Sequence, residues 1–136
     1  WARSRRVDNL RVAGQFEAAW RLLEAQENGA APAESAAWFW RQAIKVRVLD
    51  AIGRPDAAQD LALQVLEGDI SGASNGTRAV VFEFRGNAFA ESDEEAARAD
   101  WAHAVALYLA AGMHGEATQL SARFLPQSIL QEGPAN

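Results

Sequence analysis

His103 and His114 are the only two imidazoles in the 136-residue chain, and no cysteine accompanies them. They stand eleven residues apart with Gly112 between them, a spacing that matches no metal-ligand pattern. Without cysteine, disulfides, thiolate metal sites and cysteine nucleophiles are all excluded. Asp93, Glu94 and Glu95 are a carboxylate group of the kind acid–base catalysis uses. They also read as the first turn of a helix: in a Ser92-Asp93-Glu94-Glu95 capping box, the serine oxygen accepts the Glu95 amide and the glutamate reaches back. The segment Gly72-Ala73-Ser74-Asn75-Gly76 is glycine-containing but lacks the lysine and Ser/Thr of a phosphate-binding loop. Local context suggests no Ser/His/Asp arrangement. The expectation is therefore a non-enzyme that needs no cofactor and no metal.

Side chains suited to non-covalent recognition are easier to find. On a helix spanning about residues 33–52, Ala36, Trp40, Ala43, Arg47 and Asp50 share one stripe at 100° per residue. On a helix over 77–90 the corresponding stripe is Ala79, Phe82, Gly86 and Phe89, flanked by Glu83. Aromatic, arginine and small residues lining a groove suit an amphipathic peptide or helix. The candidate partner-binding residues are thus Trp40, Ala43, Arg47, Asp50, Phe82, Glu83 and Phe89. Trp20, Trp38 and Trp101 lie on apolar faces and are assigned to the core.

The elements that must hold these residues read as helices throughout. No alternating β pattern runs for more than a few residues. Seven helices are expected, at about 2–13, 16–27, 33–52, 55–66, 77–90, 93–111 and 114–125, with 131–136 a flexible tail. Gly14, Gly53 and Gly112 supply stops, and Pro55 opens a first turn. The helix over 33–52 is apolar on nearly every side, as a central helix enclosed by neighbours would be. Length argues for one domain, 1–130. Net charge is −5, an acidic balance that disfavours direct nucleic-acid binding. Arginines cluster at the start, at Arg3, Arg5, Arg6 and Arg11. No stretch is long and apolar enough for a membrane span. Absent cysteine fits the cytoplasm. Lys45 is the only lysine among thirteen basic residues, which with abundant alanine points to GC-rich bacterial coding.

A repeat underlies the pattern. Gly14, Gly53 and Ser92 follow one another at 39-residue intervals, and Ala19, Ala58 and Ala97 lie five residues beyond each. Gly112 and Ala117 repeat the pair. This glycine–alanine grammar resembles the tetratricopeptide repeat. The fullest match runs through Trp101, Ala104, Val105, Tyr108, Gly112 and Ala117, with Pro126 closing the second helix. Arg3, Gln42, Arg6 and Lys45 depart from it, and the interval exceeds the family's usual one. The resemblance implies antiparallel helix pairs stacked in a right-handed superhelix, with the Trp40 and Phe82 stripes on its concave face. It also implies a scaffold that binds a protein or peptide partner segment there. The family's carboxylate-gripping mode is not expected, since of Trp1, Arg5, Trp40, Ile44, Ala79 and Glu83 only Arg5 could contribute. Such domains also serve as regulatory or sensor parts of bacterial transcriptional regulators, the alternative role, in which the arginines after Trp1 would follow a DNA-binding region. Oligomeric state is not indicated.

Overall fold

The computed structural model describes residues 35–124, together with Ala18, Arg21 and Leu22. The two helices expected before residue 30, with Gly14, Ala19 and Trp20, and the expected tail at 131–136 lie essentially outside the described residues. Five helices form the described body: α1 (Ala36–Ala51), α2 (Pro55–Glu67), α3 (Asn75–Phe89), α4 (Glu94–Ala110) and α5 (His114–Phe124). The described residues contain no strand. The all-α expectation therefore holds.

Four of the five helices start where the sequence supplies an oxygen or a proline. Ser35 Oγ accepts the Trp38 amide at 3.2 Å, and Ser74 Oγ accepts that of Thr77 at 3.2 Å. The second cap starts α3 two residues ahead of the expected 77. Pro55 opens α2, where its missing N–H costs nothing. The expected capping box at Ser92 is not what forms. Asp93 is the N-cap, accepting the Ala96 amide at 3.1 Å. Both residues are good caps. Asp93 adds a negative charge at the positive end of the helix dipole, which favours the one-residue shift.

Two turns follow one design. Gly53 and Gly112 take positive φ, 86° and 78°, a region where a Cβ is strained. Behind Gly53, its own N–H reaches the Asp50 carbonyl at 3.1 Å and the Arg54 N–H reaches that of Leu49 at 2.9 Å. The Gly112 and Met113 amides repeat both bonds to Leu109 and Tyr108, at 3.0 and 2.8 Å. These are Schellman closures, which satisfy carbonyls that a helix end otherwise leaves open. Five residues beyond the glycines, Ala58 and Ala117 are buried, as is Ala97. Small side chains there let helix backbones approach closely.

The core runs along all five helices, from Phe39, Val46 and Leu49 through Ala62 and Val80 to Trp101, Tyr108 and Leu120. Chain neighbours pack together, α1 on α2, α2 on α3, α3 on α4 and α4 on α5, and α1 also meets α3 across the pair. Burial of the α1 side chains is uneven: Phe39, Ile44, Val46 and Val48 are inside, while Trp38 and Trp40 are half-buried.

Candidate functional site

Three helices that alternate along the chain, α1, α3 and α5, share a pocket of about 190 Å³. α1 contributes Arg47, Asp50 and Ala51, and α5 contributes Glu116, Gln119, Leu120 and Arg123. Both sets follow helical spacing, so each occupies one face of its helix. Glu83 and Phe84 of α3 and Tyr108 of α4 complete the wall. Phe84, Tyr108 and Leu120 are buried and form an apolar floor.

Glu83 is the central group. Tyr108 donates its hydroxyl to Glu83 Oε1 at 2.6 Å, and Arg123 donates Nη2 to Oε2 at 3.3 Å. Arg47 reaches across from α1 to Glu116 of α5, with 3.8 Å between Nη1 and Oε2. Burial pushes the Glu83 carboxyl above its ordinary 4.5, and the Tyr108 bond and the charges of Arg123 and Arg47 pull it partly back. Burial, with the Glu83 charge beside it, pushes the Tyr108 phenol up as well. The phenol therefore stays protonated and keeps donating.

A raised carboxyl makes a signed prediction. Above 4.5, folded Glu83 retains protons that the unfolded chain has released, so its contribution to stability falls as pH rises through the folded value. Glu83→Gln should remove that slope. Urea unfolding over a pH series should show the variant gaining on the parent from about pH 4.5 upward. A parent–variant difference that does not change with pH would contradict the raised value.

Beside the pocket, α3 and α4 are joined by a second set of contacts. Arg85 holds Asp100 with both its Nε and Nη2, at 2.9 and 2.8 Å, the bidentate geometry that suits guanidinium and carboxylate. Arg85 also lies over the Phe82 ring, 5.0 Å from its centroid, and Phe82 stacks on the exposed His103 at 4.5 Å. Trp101 donates its indole N–H to the Glu83 carbonyl at 3.2 Å and to Asn87 Oδ1 at 3.0 Å. A Cβ on Gly86 would stand 2.6 Å from that indole nitrogen. Gly86 is the gap that admits Trp101.

These contacts divide the expected binding residues. Arg47, Asp50 and Glu83 come together on the pocket wall. Trp40, Ala43, Phe82 and Phe89 do not line it. Trp40 lies towards Gly76, where an added Cβ would come within 3.5 Å of its ring and 3.1 Å of the Met113 sulfur. Ala43 is fully buried. Phe82 and Gly86 face α4, because Gly86 receives the indole from that side. Phe89 is half-buried against the core. The α3 stripe read from the sequence is thus turned by about one residue, and the flanking Glu83 is the member that reaches the pocket. Tyr108, Glu116, Gln119 and Arg123 were not among the expected site residues. The spacing of Glu116, Gln119, Leu120 and Arg123 on the last helix was the available signal.

The histidines stay apart from this pocket, and among the described residues no group of three His, Cys, Asp or Glu side chains could hold a metal ion. No described helix is long and apolar enough to cross a membrane. Comparisons with models of protein families, with curated proteins and with solved structures found no match to this chain.

Proposed function

We propose that the chain is a non-catalytic interaction module that binds a protein or peptide segment across the face made by α1, α3 and α5. The observation that carries this reading is the shared pocket: charged side chains from three separate helices converge over a buried floor. In a stack of helix pairs, such as the tetratricopeptide-like arrangement the repeat resembles, the first helices of successive pairs line one concave face. α1 and α3 are the first helices of the pairs α1–α2 and α3–α4, and α5 closes the same pocket beside them. The lining offers no serine, cysteine, lysine or histidine for covalent chemistry. Both Glu83 oxygens already have partners, Tyr108 and Arg123. Recognition without a cofactor is the role such a surface supports. Binding is to a protein segment rather than directly to nucleic acid, in keeping with the net charge of −5.

A test that is blind to ligand chemistry is to fill the pocket. Gln119 and Ala51 are exposed residues on opposite walls. Peptides selected from a random library on the parent protein should lose roughly thirty-fold in affinity on Gln119→Trp or Ala51→Phe, the loss of one hot spot of about 2 kcal/mol. Melting should hardly change. Arg98→Trp, on exposed α4 surface, should leave affinity as it was. Selected peptides that tolerate both pocket substitutions and respond to Arg98→Trp would contradict the reading.

A further inference from the structure

The lining of the pocket indicates which chemical group it receives. Three carboxylates, Asp50, Glu83 and Glu116, face two guanidinia, Arg47 and Arg123. The balance is one negative charge. Asp50 has no hydrogen-bond or ion-pair partner among the described residues, while Arg47 meets Glu116 only at 3.8 Å. Negative charge is therefore left over on the α1 side of the pocket. An anion entering it would approach the half-buried Glu83 carboxylate, and a cation would relieve that crowding.

Size narrows the occupant further. At about 190 Å³ the pocket is below the roughly 300–1,000 Å³ typical of sites for drug-sized ligands, and suits the head of one side chain. The chain itself shows which head. Arg123 pairs with Glu83 while its ring-facing side lies over Phe124, 4.6 Å from the centroid. Its side chain is still 58% exposed, so the pair is a weak one at the rim. The pocket thus already receives a guanidinium, held loosely enough to be exchanged. A planar fork that can bond two carboxylate oxygens at once distinguishes guanidinium from ammonium.

We propose, resting on the partner-binding reading above, that the pocket takes the arginine side chain of a partner peptide, which replaces Arg123 beside Glu83 and is also drawn by Asp50. This makes Arg123 an internal competitor. Its removal should strengthen binding, whereas a basic residue that gripped an anionic ligand would weaken binding when removed.

The test is a heteronuclear NMR titration of the whole chain with N-acetyl-argininamide, with N-acetyl-lysinamide and N-acetyl-glutamate amide as the other arms. The argininamide should give saturable shifts at Arg47, Glu83 and Gln119, weakened by high salt. Arg123→Ala should tighten its binding roughly five-fold, and Asp50→Asn should weaken it by a similar factor, the effect of about one charge pair. Tighter binding of the glutamate amide, equal binding of the lysinamide, weaker argininamide binding to Arg123→Ala, or no shift at millimolar probe would each overturn the proposal. If the argininamide fails while selected peptides still lose affinity on Gln119→Trp, partner binding at the pocket stands and only the arginine assignment falls.

Discussion

Trp101→Ala is expected to lower stability by about 3–5 kcal/mol, the usual cost of removing a large buried aromatic. Trp101 is 6% exposed. Its ring stacks on Phe124 at 4.4 Å, and its N–H serves both the Glu83 carbonyl and Asn87. Truncation leaves a cavity between α3, α4 and the end of α5 and deprives these acceptors of their donor. Domains of this kind have only about 5–15 kcal/mol in total. A fall in melting temperature on the order of 10–20 °C should follow. His103→Ala, on the exposed side of the same helix, should shift melting only slightly. Equal melting of Trp101→Ala and the parent would mean that the indole does not join these helices.

Gly86→Val is the second large effect, and its smaller relative carries the sharper sign. In an ordinary helix, replacing glycine by alanine stabilises by about 1 kcal/mol. At Gly86 the added Cβ would lie 2.6 and 2.7 Å from two indole atoms and 3.1 Å from the Ala97 carbonyl oxygen. Either the indole leaves, breaking both its hydrogen bonds, or α3 and α4 move apart. Gly86→Ala should therefore destabilise, and Gly86→Val should cost roughly 3 kcal/mol or more through overpacking. Gly115→Ala is the control, because nothing lies within 4 Å of its Cβ position. Trp101→Ala should cost less in the Gly86→Ala background than in the parent, since the two residues share one contact. Urea denaturation of the four chains measures the coupling. Additive effects would separate the two sites.

How far the sequence speaks is clear from where it stops. Helix identity was legible because Gly53, Pro55 and Gly112 act locally, and the buried alanines at Ala58, Ala97 and Ala117 repeat at a fixed offset from each turn. Helix rotation was less legible. The stripe through Phe82 and Gly86 has the composition of a groove, but the aromatic that fills the gap at Gly86 comes from α4, fifteen residues further on. No local pattern reports that. The same limit hid Arg123, whose bond to Glu83 spans forty residues. Arg47 and Asp50 were read as groove residues because they share a stripe with Trp40 at 100° per residue, and Glu83 because it flanks the stripe on α3. Trp40 shares the α1 stripe, yet its ring lies towards Gly76 and Met113.

That the face shared by α1, α3 and α5 is the partner surface can be tested most directly by intermolecular nuclear Overhauser effects from a bound, selected peptide. Contacts are expected from the peptide to Ala51, Tyr108 and Leu120, which line the pocket. Contacts confined to His103 and Leu109, on the exposed surface of α4, would contradict it.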